Sequence, residues 1–453
     1  MERISIIGSG FCGTALAIHL LRNATRPLHV RLLNRSGQLA RGLAYGTRSP
    51  SHILNVPAER MSLFSERPGD FLDFARQQLP DAQPGDFLPR RLYGDYLQQR
   101  LGEALTAHAG SVAFESLPAH VLDLQRTDRQ YHLLLDNGQT LLSDKVVIAT
   151  GNFTPATPPP LRALRDDARY IADPWCHGAL DTIAADARVL LLGSGLTMYD
   201  IALALQDRQH RGALLAMSRR ALQPHGHRDN SQHPQLPQTP ANLLDSRSAR
   251  QLLSRIRHFV RNAEHDGFDW RDAVAALRPL TPALWQALDK PNQRRFLCHL
   301  QPYWDVHRHR AAPFIAKRIE QLRQQGQLQV QAARLVSVAA GVDGLQLQIR
   351  PRGSDACQGL EVDHIINCTG PCNDLRQLDE PLFNALLARG ELVQDEHRIG
   401  LQVDAQFRLL AASGQATPDL YLLSPMLRAR YWESTAVPEL RQHAECLARQ
   451  LLA

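Results

Sequence analysis

The stretch Ile4-Ser5-Ile6-Ile7-Gly8-Ser9-Gly10-Phe11-Cys12-Gly13 restricts the folds open to this chain more than any other. Its first four residues read as a buried strand. G-x-G-x-x-G follows, and Thr14 to Leu21 is an apolar run of helical length. Each glycine has a task in a dinucleotide-binding turn. Gly8 lets the chain turn tightly, Gly10 lets the backbone approach a pyrophosphate, and Gly13 lets the helix lie close to the strand. The unpaired N–H groups and dipole of the helix N-terminus favour the anion. Glycine-rich turns are common, but this one has the strand before it and the helix after it that the motif requires.

A second copy starts at Arg188. Val189-Leu190-Leu191-Leu192 is a buried strand, and Gly193-Ser194-Gly195-Leu196-Thr197-Met198 opens a helix, with Met198 in the place of the third glycine. The spacing repeats: Asn34 ends the strand His29–Leu33, 24 residues after Gly10, and Arg219 follows Gly195 by 24. An acidic ribose ligand is usual at that point. The first copy has the amide Asn34, which lacks the charge. The second has Ser218-Arg219-Arg220, whose guanidiniums suit a 2′-phosphate and favour NADPH over NADH. A plainer reading makes both arginines solvated side chains.

Further strands are expected from Lys145 to Gly151, ending in Ala-Thr-Gly, and from Asp363 through Cys368, leading into Thr369-Gly370. Such strands return the chain beside a nucleotide, and the second is read as re-entry into the first domain. Pro155 to Pro160 is a stiff linker and domain boundary. Asp136-Asn137-Gly138 predicts a hairpin. The stretch from Arg41 to Ser62 reads as ligand-facing loop, with Asn55 offering polar contacts to a flat ring system. Ser434 or Thr435 is expected to cap the last helix, with Pro438 in its first turn.

The chain has 453 residues, 44% apolar and 21% charged, enough for two or three globular domains. Its net charge of +6 is carried by scattered arginines, since only three of its 51 basic residues are lysines. Without a concentrated basic patch, nucleic-acid binding is not expected. No apolar run reaches the ~18 residues of a membrane span, so no membrane role is expected. The N-terminus enters a strand at once, and seven cysteines without C-x-x-C suggest reduced thiols and a cytoplasmic protein. That pattern weighs against a dithiol–disulfide reductase. A polar loop carries His225, His227, Arg228, Asp229, Asn230 and His233, and a second carries His307, Arg308, His309 and Arg310. Without a carboxylate or cysteine at diagnostic spacing, no metal is expected there. Contact with an anionic ligand and ordinary surface polarity are equally open readings.

Taken together, Gly8-x-Gly10-x-x-Gly13, Gly42-Leu43-Ala44-Tyr45, Leu54-Asn55-Val56-Pro57-Ala58 with Met61-Ser62, Gly193-x-Gly195-Leu196-Thr197-Met198-x-Asp200, Trp304 to Arg310, and Trp432 to Glu439 resemble the bacterial FAD/NAD(P)-binding oxidoreductases with a split FAD domain. The resemblance spans nearly the whole chain. It implies an α/β protein with two Rossmann-like domains: an FAD domain at 1–155 and 363–453, and an NAD(P)H domain at 156–362 with a helical insert at about 230–312. FAD contacts are expected at Gly8, Gly10, Phe11, Cys12, Gly13, Asn34, Arg35, Tyr45, Asn55, Met61, Ser62, Thr150, Gly151, Trp432, Thr435 and Ala436. NADPH contacts are expected at Gly193, Gly195, Thr197, Ser218, Arg219 and Arg220. Some relatives are FAD-dependent urate hydroxylases, and more distant ones N-hydroxylate amines or amino acids. The implied activity is therefore an NADPH-using monooxygenase that acts through a flavin hydroperoxide, with molecular oxygen and a small polar or nitrogen-rich substrate. Asn55, His307, Arg308, His309 and Glu433 are the catalytic candidates. The rival readings are a flavin reductase without oxygenation and a non-catalytic nucleotide-binding protein. Two departures from the pattern are Asn34 and Ser424-Pro425, the latter where many flavoproteins carry Gly-Asp.

Overall fold

The computed structural model describes residues 1–107, 112–229 and 237–453. Its elements run as follows. The first β-α-β unit is β1 (Glu2–Ile7), α1 (Phe11–Asn23) and β2 (Leu28–Leu33). After a long loop come α2 (Arg90–Ala107) and β3 (Val112–Leu117). β4 (Val121–Thr127), β5 (Gln130–Leu135) and β6 (Thr140–Ser143) form a small antiparallel sheet, and β7 (Lys145–Ile148) follows. The second unit comprises β8 (Tyr170–Ile171), β9 (Val189–Leu192), α3 (Leu196–Asp207) and β10 (Leu214–Ser218). The helical insert contains α4 (Ala249–His265), α5 (Trp270–Leu277) and α6 (Gln301–Arg308). Next are α7 (Pro313–Gln324), β11 (Leu328–Ala340), β12 (Leu345–Pro351), β13 (Gln358–Val362) and β14 (His364–Asn367). β15 (Arg408–Leu410), β16 (Ala416–Leu422) and α8 (Val437–Leu452) close the chain.

Two sheets carry the two units. The first has the order β15-β16-β7-β1-β2-β3, with β16, β7, β1, β2 and β3 parallel. The second has the order β13-β12-β11-β10-β9-β14-β8, parallel from β11 to β8. The central strands are covered on both faces, which is why Ile4, Ile6, Val147 and Leu190 are fully buried and these strands read as continuous apolar runs.

The two units share one backbone design. Gly8 donates its N–H to Leu33 O and Gly193 donates to Met217 O, both at 2.8 Å. Gly8 has φ +111° and Gly193 φ +128°, conformations that side chains rarely adopt. A Cβ on Gly8 would meet Ala149 O at 2.6 Å, and one on Gly193 would meet Cys368 O at 2.3 Å. β14 with Thr369-Gly370 therefore stands in the second unit where β7 with Thr150-Gly151 stands in the first. This corrects the expected boundary at 363: His364–Asn367 pairs with β8 and β9 of the second sheet, so re-entry into the first domain comes after Gly370. The apolar strand ending in Thr-Gly was legible, but such a strand belongs to either unit and only its pairing decides which.

The units differ at the third glycine. A Cβ on Gly13 would lie 1.8 Å from Gly8 O, so α1 rests on the turn itself. In the second unit the buried Met198 takes that place and holds α3 away. Gly13→Ala is expected to lower unfolding stability by about 1–3 kcal/mol, the cost of overpacking a close contact. Gly195→Ala, whose Cβ would meet no heavy atom within 4 Å, is expected to keep the wild-type urea midpoint. Equal midpoints for Gly13→Ala and wild type would contradict the packing described.

Candidate nucleotide and substrate site

Both helix N-termini are open to an anion. Gly10 caps α1 and Gly195 caps α3, neither with a side-chain hydrogen bond, and neither first turn carries an acidic residue. Beside Gly8, the Thr150 hydroxyl is buried without a hydrogen-bond partner, and Gly151 is exposed. An orphaned hydroxyl next to an uncapped glycine turn fits a polar group of a dinucleotide.

The remaining residues expected around the first turn divide into two groups. Phe11 and Cys12 are buried in the core, and burial pushes the Cys12 thiol up to about 12, which leaves it inert. Tyr45 packs on Tyr93 at 4.7 Å, and burial raises its phenol. Met61 is buried in the core, while Ser62 donates to Phe64 O and Arg67 O within its own turn. Asn34 spends its amide N–H groups on Ser36 Oγ and Gln38 O, and Arg35 pairs with Glu380. The expected ribose position is therefore occupied by local turn chemistry, which Asn favours. By contrast, Asn55 makes no side-chain hydrogen bond among the described residues.

In the second unit, Ser218 Oγ lies 2.8 Å from Ser194 Oγ and accepts from Ala221 N, so it braces the turn. Thr197 is half-buried on the first turn of α3. Arg219 is exposed with no ion pair among the described residues, whereas Arg220 donates to Cys298 O just before α6. Of the two arginines, Arg219 is the free one.

The domains, the insert and the C-terminal segment meet at one junction. His225 to His227 zip against Val306 to Ala311 by three backbone hydrogen bonds: His225 N to Val306 O, Ala311 N to His225 O and His227 N to Ala311 O. The His227 ring lies 3.2 Å from Asn55 O in the first domain. Arg90 of α2 pairs with Asp200 of α3 at 2.8 Å, and Ile53 of the first domain packs into the second domain's core. The candidates converge in part. Arg308 Nε lies 3.0 Å from Glu433 Oε2, with the two side chains 12% and 2% exposed, and Trp304 donates to Glu433. His307 instead turns its Nδ1 to Tyr303 O and packs tilted on His225 and edge to face on Trp270, and His309 lies 3.8 Å from Asp305.

One expectation fails at α8. Its cap is Ala436, with no side-chain hydrogen bond, because Ser434 faces His443 and Thr435 is exposed. Trp432 is buried against Trp285 and Phe296 of the insert, with Arg428 over its ring. Asn230 and His233 lie outside the described residues. Sequence reasoning missed the Arg90–Asp200 link and the role of Trp270, since neither belongs to a motif. Among the described residues no group of three His, Cys, Asp or Glu side chains is placed for a metal, and no helix is long and apolar enough to cross a membrane.

The buried histidines make stability depend on pH. Burial lowers His19, His52 and His210, each with an unpartnered Nε2, and holds His227 down to about 3 with help from Arg310. The unfolded chain takes up these protons below about 6.5 while the folded one does not, so their contribution is full above that pH and is lost as pH falls. The urea midpoint is expected to drop from about pH 7 to about pH 5. His227→Gln should flatten the dependence by one proton, about 1.4 kcal/mol per pH unit. An unchanged slope would contradict the neutral burial of His227.

Comparison with known proteins follows the same division. Residues 5–153 match the family described as FAD-NAD(P)-binding. Direct comparison with curated proteins gives no match. The fold matches an ornithine hydroxylase from Pseudomonas aeruginosa at 16% identity and TM-score 0.66, covering 100% of this chain and 99% of that one. It matches L-lysine 6-monooxygenase from Pseudomonas syringae at 15% identity and TM-score 0.65, with the same coverage. It also matches bacillithiol disulfide reductase from Staphylococcus aureus at 10% identity and TM-score 0.56, again covering 100% and 99%. Residues 5–153 thus resemble an FAD-NAD(P)-binding domain, and the whole chain shares the fold of these flavin-dependent hydroxylases and reductases.

Proposed function

We propose that the protein is an FAD-dependent, NADPH-using monooxygenase that hydroxylates a small, polar, nitrogen-bearing substrate. The observation that carries this reading is the pair of uncapped G-x-G turns with matched backbone geometry, the first inside an FAD-NAD(P)-binding domain and the second followed by a free arginine. The shared fold with ornithine and lysine hydroxylases gives the reaction class its support. The disulfide reductase of the same fold points to a rival activity. Against that rival, all seven cysteines are free, and burial raises Cys12, Cys368 and Cys372.

When bound, FAD takes electrons from NADPH and delivers them to oxygen. The chain's part is binding, orientation and exclusion of water. The N-terminus of α1 and the Gly8–Gly13 turn would hold the FAD pyrophosphate, with the Thr150 hydroxyl finding its partner there. The N-terminus of α3 would hold the NADPH pyrophosphate, and Arg219 its 2′-phosphate. The uncapped N-terminus of α8 would favour negative charge at the flavin's pyrimidine edge. Asn55, whose side chain is unengaged, would contact the ring system. Glu433 and Arg308 are held by each other, so both act as a fixed wall of the junction rather than as free acid and base.

Arg219→Ala is expected to raise KM for NADPH about tenfold, or ~1.4 kcal/mol of binding, and to leave KM for NADH unchanged. Oxygen uptake with candidate amines and amino acids should yield hydroxylated product in step with NADPH use. Peroxide formation without product across the substrate panel would overturn the monooxygenase reading in favour of a reductase.

A further inference from the structure

Three arginines of the junction each face a carboxylate. Arg228 pairs with Asp272, Arg271 with Asp269 at 3.2 Å, and Arg308 with Glu433 at 3.0 Å. Arg310 differs: among the described residues it has no ion pair and no side-chain hydrogen bond. Its Nε is buried without a partner, and its guanidinium lies 5.8 Å from the centre of the Trp270 ring. Burial and the neighbouring Arg308 and Arg271 push its pKa down against the opposing pull of Asp269, yet a guanidinium stays charged, so a largely buried cation without a direct carboxylate contact stands here. Arg310 also sits at the seam of the assembly. Ala311, the next residue, is zipped to His225, and His227 reaches Asn55 of the first domain. Trp270 and His225 stand edge to face at 5.2 Å beside it, one of them an apolar surface and the other a polar one.

We propose that Arg310 is the anchor for an oxyanion of the substrate, a carboxylate held by its guanidinium beside Trp270 and His225. The assignment rests on the monooxygenase reading and names its substrate class: a small molecule with a carboxylate as well as the nitrogen to be oxidised. A guanidinium takes a carboxylate in two parallel N–H···O bonds, and an anion here would supply that direct contact. Arg308 and Arg271 each already face a carboxylate, at 3.0 and 3.2 Å. A phosphate of NADPH carries the same oxyanion chemistry, and the test separates the two sources.

The FAD-loaded protein is compared with Arg310→Gln and Arg310→Lys. Thermal midpoints are read at fixed ionic strength with acetate, succinate, L-lysine and cadaverine, and NADP⁺ affinity is read by difference spectroscopy. L-lysine and cadaverine differ by one carboxylate. The carboxylates should raise the wild-type midpoint above a chloride control and cadaverine should not. Arg310→Gln should weaken the response at least tenfold, Arg310→Lys should keep part of it, and NADP⁺ affinity should stay the same in all three. Carboxylate responses equal in wild type and Arg310→Gln, or no response above chloride, would overturn the assignment. A tenfold loss of NADP⁺ affinity in Arg310→Gln with carboxylate responses intact would assign Arg310 to a cofactor phosphate instead. The flavin spectrum is recorded on the same samples. A protein that takes up no FAD defeats the monooxygenase reading, whereas a flavin bleached by NADPH with no carboxylate response defeats only the role of Arg310. If Arg310→Gln does not fold, the contrast between L-lysine and cadaverine on the wild type, with Arg310→Lys, still decides.

Discussion

The close approach of α1 to its own turn sets the geometry on which the rest depends. With Gly8 O only 1.8 Å from where a Cβ of Gly13 would lie, the helix N-terminus sits directly on the end of β1. That position aims the unpaired N–H groups of the first turn over the carboxyl ends of the parallel strands, where ligands of open α/β sheets bind. The neighbouring strand is held to the same standard, since Gly8 also abuts Ala149 O. In the second unit Gly193 and Cys368 O repeat the contact, but Met198 relaxes the helix. One backbone solution thus appears twice, tight in the first copy and looser in the second.

What the sequence revealed and what it hid follow from the range of the interactions. The glycine turns, their flanking strands and the 24-residue spacing to the next strand end are local, and they were legible. The fate of Asn34 was not, because its amide is absorbed by Ser36 and Gln38 a turn away, a contact that loop composition alone does not reveal. The packing of Trp432 was hidden too, because its partners Trp285 and Phe296 lie more than a hundred residues earlier, in the insert. The re-entry point of the chain was misplaced for the same reason: β14 looks like β7 in sequence, and only strand pairing tells them apart.

Charge at the junction is likewise a long-range property. The sequence shows a run of basic residues from His307 to Arg310, with nothing to say which of them is neutralised. The fold brings Glu433 to Arg308 across more than a hundred residues and leaves Arg310 without a direct carboxylate contact. The Arg90–Asp200 pair and the His227–Asn55 contact hold the two nucleotide domains together beside that charge. A buried pair of this kind is weak evidence for stability, and here it serves to fix the relative position of two binding turns. The uncapped N-termini of α1 and α3 are consistent with that purpose, because each leaves donors for a ligand and carries no acidic residue in its first turn.

The central claim is that one chain binds two different dinucleotides and brings them together for electron transfer. Anaerobic titration of the FAD-loaded protein with NADPH tests it most directly. The account predicts full bleaching of the flavin at one equivalent of NADPH per chain. A flavin that stays oxidised while NADPH binds, or NADPH that displaces FAD from the protein, would contradict it.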